Sequence, residues 1–165
     1  MILSVDVDYR DTGAFIAGIT FNNWQDENES EIFKSILNNN EDYMPGQFYR
    51  RELPCILKLI EEHGISPETI VIDGFVYLDG NYEAGLGKHL YEALNRKVNV
   101  VGVAKRPFKG IPQECELLRG KSKKPLYITS VGMPLEVAKI AIKSMHGKYR
   151  VPTLLKKTDQ MCRQS

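Results

Sequence analysis

Two apolar runs carry aspartates where a buried strand ordinarily carries nothing charged. One is Ile2-Leu3-Ser4-Val5-Asp6-Val7-Asp8-Tyr9, and the other is Thr69-Ile70-Val71-Ile72-Asp73-Gly74. Burying an unpaired carboxylate is costly or keeps it protonated. A compensating cation is the simplest solution, and a hard divalent ion such as Mg²⁺ prefers oxygen ligands. Strand positions i and i+2 share a face, so Asp6 and Asp8 point together. They repel unless one is protonated or a cation stands beside them. A face open to water at the end of a sheet would need no cation, and the spacing alone leaves both readings open.

The next dense signal is Tyr43-Met44-Pro45-Gly46-Gln47-Phe48-Tyr49-Arg50-Arg51-Glu52. Pro and Gly set a turn, two aromatics and two arginines follow, and Glu52 falls in the first turns of a helix. Aromatics stack on or wedge between bases, and arginines contact phosphates. The same residues could equally staple a helix start to the core.

These groups need a frame. Met1 to Tyr9 and Ala14 to Phe21 read as strands joined by a turn at Asp11-Thr12-Gly13, a hairpin. Glu31 to Leu37 is assigned as a third strand over a helical turn, and residues 38–46 as a loop. Leu53, Ile56, Leu57 and Ile60 have the spacing of an amphipathic helix over Phe48–His63, stopped by Gly64. A strand over 69–73, a helix over 83–95 and a strand over 99–104 follow. Pro125–Val131 is predicted as the last strand and Pro134–Met145 as the last long helix. Hairpin strands followed by alternating helix and strand predict an α/β fold, a mixed sheet flanked by helices, in one domain over residues 1–165. Sites in such sheets form at the carboxyl ends of parallel strands, where Asp73-Gly74 would lie.

Composition bounds the rest. The chain is 42% hydrophobic and 26% charged, ordinary for a soluble domain. No run is long enough for a membrane span, and the strand-like start predicts no signal peptide. Cys55, Cys115 and Cys162 are widely spaced and read as reduced thiols of a cytoplasmic protein. The net charge of +1 hides an asymmetry. Residues 1–95 hold 6 basic and 17 acidic side chains, and residues 96–165 hold 16 and 4. The halves could pair with each other, or the basic half could face a polyanion such as nucleic acid. His63, His89 and His146 match no zinc spacing and read as surface or helix-end residues. Lys121-Ser122-Lys123-Lys124 reads as a solvated loop or a phosphate contact. Trp24 reads as a loop anchor or a contact residue.

The chain resembles the endonuclease V family, metal-dependent repair nucleases of RNase H-like fold. The resemblance rests on Val5-Asp6-Val7-Asp8-Tyr9, Tyr43-Met44-Pro45-Gly46 leading to Arg51-Glu52, Val71-Ile72-Asp73-Gly74 and Val101-Gly102-Val103-Ala104-Lys105. Weaker matches are Gly85-Leu86-Gly87-Lys88-His89, Pro125-Leu126-Tyr127 to Gly132, and Tyr149-Arg150-Val151-Pro152. The likeness runs from Val5 to about Arg163; each motif alone is weak, and their order is specific. It implies an acidic triad of Asp6, Glu52 and Asp73 holding Mg²⁺ or Mn²⁺, with Lys105 as the catalytic lysine. It implies a wedge tyrosine at Tyr43, within a loop that includes Pro45. A pocket for a flipped, deaminated purine would be lined around Gly46, Phe48, Gly74, Ala104, Phe108 and Gly132. The implied partner is DNA or RNA.

The chain also departs from the family. Met133 stands where the family usually has a histidine after the glycine, and a thioether cannot move a proton. Asp8 stands where the family is small or uncharged, which suggests an additional metal ligand. The family's His-Pro-Arg segment is replaced by Phe75 to Asn81, and Asp42 leads the wedge where the family has proline. The likeness is to a short, divergent member. Three functions follow: a metal-dependent endonuclease cutting near hypoxanthine, a catalytically weakened nucleic-acid-binding module, or a phosphodiesterase with another substrate.

Overall fold

A computed structural model describes residues 1–38, 48–79 and 81–164. Tyr43, Pro45 and Gly46 lie outside the described residues, as does the side chain of Phe48.

Among the described residues, seven strands form one mixed sheet in the order β3-β2-β1-β4-β5-β7-β6. They are β1 (Ile2–Arg10), β2 (Gly13–Phe21), β3 (Glu31–Leu37), β4 (Thr69–Asp73), β5 (Asn99–Ala104), β6 (Glu116–Leu117) and β7 (Leu126–Val131). β1 and β2 are joined by a tight turn, with Arg10 opposite Gly13. β4 lies parallel between β1 and β5, and β7 returns antiparallel beside β5. The carboxyl ends of β1, β4 and β5 therefore share one edge of the sheet. Ala104 at that edge stands opposite Tyr127, whereas Val131 stands opposite Val100 at the other edge.

Alternation along the strands divides the core. Leu3, Val5, Ile70, Ile72 and Val100 face α1 (Phe48–His63) and α2 (Leu86–Ala93). Ile2, Val71, Val101, Val103 and Ile128 face α3 (Leu135–Ser144) and α4 (Thr153–Arg163). Residues two apart point to the same side, and this places Asp6 and Asp73 on the α4 side of the sheet. Each large aliphatic side chain buried here contributes about 1.5–3 kcal/mol.

Several elements differ from the sequence reading. α2 begins at Leu86 rather than residue 83, because residues 81–85 make loop contacts, including the Tyr77–Ala84 bridge. The short β6 has no counterpart in the sequence reading. The larger correction is α4. Pro134–Met145 does not hold the last long helix, since an 11-residue helix follows Pro152. Its buried positions are Leu154, Thr158 and Cys162, an i, i+4 stripe whose middle member is polar. Thr158 faces inward because its hydroxyl donates to its own helix at the Leu154 carbonyl and pairs with the Ser4 hydroxyl at 2.8 Å. Lys157 fixes the outer side of α4 by an ion pair with Glu29 at 2.6 Å.

Candidate active site

Asp6, Asp73, Lys105 and Asp159 line one small cavity of about 30 Å³ between the strand ends and α4. Asp6 comes from β1, Asp73 from the last residue of β4, Lys105 from just beyond β5, and Asp159 from α4. The first three are the residues the sequence pointed to. Asp159 is not among them, because its signal lay in a helix that the apolar spacing does not reveal.

Backbone geometry explains how the edge is built. Gly74 has φ +148, a conformation that a side chain resists, and its N–H donates to the Val103 carbonyl at 3.2 Å. The loop after Asp73 thus folds back onto β5. There it meets Gly102, where a Cβ would stand 2.5 Å from the Gly74 carbonyl oxygen and 2.6 Å from Thr129 Oγ1. Ala104 is buried in β5, and Phe75 meets Phe108 edge-on at 4.7 Å.

The acids repel one another. Burial, then the charge of Asp73, pushes the Asp6 carboxyl from its ordinary 3.8 up to about 7. The Val7 N–H donates to Asp6 Oδ1 at 2.9 Å and opposes that rise. Glu52, 7% exposed on α1, is pushed up to about 8 by burial and then by Asp6 and Asp73. Asp73 is also raised, by loss of water, with Lys105 pulling it back down and Asp159 adding to the rise. Glu52 thus feels the cluster electrostatically, although it does not line the small cavity.

These features fit a hard divalent cation. Ligand atoms of Asp6, Asp159 and Cys162 lie within 4.8 Å of one another. Asp73 opens into the same cavity and adds carboxylate oxygens. The Cys162 thiol is pushed up to about 12, chiefly by burial, and donates to the Asp159 backbone carbonyl at 3.2 Å. It stays protonated, so the donors suited to a hard ion are the carboxylates.

Asp8 has a cation of its own. Arg10 Nε donates to it at 2.9 Å, and the same guanidinium reaches the Cys162 and Arg163 carbonyls and lies over the Phe15 ring. The pairing resolves the Asp6–Asp8 repulsion without a metal and ties β1 to the end of α4.

Two arginines fasten the segment leading into α4. Arg119, 4% exposed, donates to the backbone carbonyls of Met145, Gly147, Tyr149 and Arg150. Arg150 donates to the carbonyls of Lys105 and Pro125. Together they connect Lys105, the start of β7 and the approach to Asp159.

Phe108 and Gly132 line a different groove of about 540 Å³, with Tyr77, Tyr82 and Met133. Gly132 packs against Asn99, at the opposite edge of the sheet from Asp73 and Lys105. The histidines have local partners: His63 meets the Lys34 carbonyl, His89 stacks on Tyr49 and His146 meets Thr153 Oγ1. Trp24 packs edge-on against Phe21 and anchors its loop.

Fold and site together define an α/β protein with a carboxylate–lysine centre at the ends of its parallel strands. The chain belongs to the endonuclease V family, whose model matches residues 1–138. It is 28% identical over 144 residues to endonuclease V of Streptomyces avermitilis, covering 74% of this chain and 61% of that protein. The chain thus spans less than two thirds of that relative's length. The crystal structure of the same relative matches with a TM-score of 0.78 at 24% identity, over 99% of this chain and 79% of that one. Ciona intestinalis endonuclease V, in complex with a 24mer DNA containing an inosine followed by a ribo-adenosine, matches with a TM-score of 0.79. Its identity is 16%, over 99% of this chain and 84% of that one. Both structures share this fold. No helix among the described residues is long and apolar enough to cross a membrane.

Proposed function

We propose that this chain is a Mg²⁺- or Mn²⁺-dependent endonuclease. It hydrolyses a phosphodiester bond in DNA or RNA near a deaminated purine such as hypoxanthine. The observation that carries the reading is the convergence of Asp6, Asp73, Asp159 and Lys105 on one cavity. Family membership and the inosine-containing DNA held by the Ciona relative support it.

Asp6, Asp73 and Asp159 would hold the ion, with Glu52, which feels the charges of Asp6 and Asp73, as a direct or water-mediated ligand. The ion supplies Lewis acidity toward the phosphate and makes an attacking water more acidic. Lys105, exposed beyond β5, places positive charge where the phosphate gains negative charge. Asp8, already paired with Arg10, holds β1 against α4.

The groove lined by Phe108 and Gly132 suits a neutral base rather than phosphate. Its walls include Tyr77 and Tyr82 as well as Asp79, Glu114 and Glu136, and these carboxylates repel backbone anions. Gly74 and Ala104 lie at the strand ends beside Asp73 and Lys105, and with Tyr43, Pro45, Gly46 and Phe48 they remain wedge and pocket residues of the proposal. An RNase H-like domain spanning 1–165, in the cytoplasm, completes the reading, and three free buried cysteines agree with a reducing compartment.

Met133 bears on the catalytically weakened alternative. It follows β7 at the edge away from Asp73, so lack of a histidine there leaves the carboxylate cavity intact. The test is cleavage of inosine-containing and plain oligonucleotides, single- and double-stranded, DNA and RNA, with Mg²⁺ or Mn²⁺. Cutting restricted to inosine strands supports the proposal. Binding without cutting supports the binding module, and equal cutting of plain strands denies lesion recognition.

A further inference from the structure

A second groove, of about 870 Å³, lies between the loop after β6 and the α3–α4 connection. Five of its nine lining residues are basic, namely Arg119, Lys121, Lys143, Lys148 and Arg150, and none is acidic. Among the described residues, none of these five forms an ion pair with a carboxylate. Arg119 spends its hydrogen bonds on neutral carbonyls, so its buried charge stays uncompensated beneath the groove. Lys121, Lys143 and Lys148 are exposed above it. Tyr149 is 68% exposed, and Lys148 Nζ lies 5.6 Å from its ring centroid. Lysines around a solvent-facing aromatic match a nucleic-acid strand, with phosphates for the cations and a sugar or base for the ring.

The groove also adjoins the proposed catalytic cavity. Arg150 lines the groove while holding the Lys105 carbonyl, and the next residue, Val151, lines the cavity. A strand with one phosphate beside Lys105 would pass Arg150 on its way into the groove. We infer that this groove is a second nucleic-acid-binding site, which grips the backbone of the strand flanking the bond to be cut. The inference rests on the proposed nuclease reading. It also gives a role to Lys121, and to part of the basic excess in the second half of the chain.

The test compares the full-length wild type with the triple variant Lys121→Gln, Lys143→Gln, Lys148→Gln. A triple Lys→Arg variant keeps the charge and controls for folding. The probes are inosine-containing single strands with a flank of about 15 nucleotides on the 5′ side, on the 3′ side, or on neither. Binding is measured by anisotropy with Ca²⁺ in place of Mg²⁺, across a salt series. The expected result is that one flank tightens wild-type binding and the Gln variant loses roughly tenfold for that probe alone. Its log–log salt slope falls by about 2, since each phosphate that goes unneutralised removes about 0.7. The Arg variant binds as wild type, and single-turnover cleavage at saturation is unchanged in both. Equal affinities and slopes for wild type and Gln variant, with wild type still cleaving, overturn the groove and leave the nuclease reading standing. A wild type that neither binds nor cleaves any probe overturns both.

Discussion

Asp6 and Asp159 bring carboxylate oxygens within 4.8 Å of one another from nearly opposite ends of the chain. After burial and the charge of Asp73, the nearness of Asp159 adds to the upward push on Asp6. Two carboxyls can approach this closely when a proton or a cation lies between them. On the proposed reading, the metal-free protein holds protons where a bound ion would otherwise lie.

The first prediction concerns pH. Asp6 rises from 3.8 to about 7 and Glu52 from 4.5 to about 8. Between about pH 4 and 8 the folded state keeps protons that the unfolded chain has released, so the metal-free fold loses stability as pH rises through that window. Each proton so held changes stability by at most about 1.4 kcal/mol per pH unit. Thermal melts in EDTA should show Tm falling from pH 5 to pH 8, and Asp6→Asn should flatten the trend. Mn²⁺ should raise Tm more at pH 8 than at pH 5. A metal-free Tm that rises across this range contradicts the assignment.

The second prediction isolates the acid that α4 contributes. Asp159→Asn removes one charge from the cavity while keeping the side chain's size. It should weaken Mn²⁺ binding about tenfold or more by calorimetry, in line with loss of a direct ligand or its close support. The metal-free variant should melt near the wild-type Tm, because relief of like-charge repulsion offsets loss of the exposed Arg163–Asp159 ion pair. Unchanged Mn²⁺ affinity would remove Asp159 from the site.

The third concerns Arg150, whose guanidinium bridges the Lys105 and Pro125 carbonyls. Arg150→Lys keeps the charge but loses the planar fork that spans two acceptors. The expected effect is a fall in kcat of about tenfold, or about 1.4 kcal/mol, with KM nearly unchanged. A rise in KM at constant kcat would instead show that Arg150 acts through the groove's grip on the strand rather than by holding Lys105.

The fourth concerns Met133. Its place at the far edge of the sheet predicts that Met133→His changes the cleavage rate by less than about twofold, since no lost proton-transfer group is being restored. A gain of about 100-fold would show that the family histidine position reaches the chemistry after all.

Much of this site is legible in sequence because strands announce themselves by apolar runs, and a charge inside one is conspicuous. Asp6 and Asp73 stand out on that ground, and the helix over Phe48–His63 is readable from its apolar spacing despite the internal Pro54. α4 escapes because its inward stripe is Leu154, Thr158 and Cys162, and Thr158 is buried by its bond to Ser4, a partner 154 residues away. With α4 goes Asp159. Asp8 is visible as an acid beside Asp6, but its partner Arg10 is two residues off on the same face, and only the end of α4 shows why that arginine stays there. Arg119 gives no signal, since its role depends on four carbonyls that come together only in the folded chain.

On the proposed reading, the cavity between β1, β4 and α4 is a metal-dependent phosphodiester-cleaving centre. Its most direct test is the single-turnover cleavage rate of an inosine-containing strand with Mg²⁺, measured side by side for wild type and Asp73→Asn. The expected result is cutting by wild type that EDTA abolishes, and a loss of about 1,000-fold or more in the variant, equivalent to about 4 kcal/mol. Cutting that survives EDTA, or a variant that cuts as fast as wild type, would contradict it.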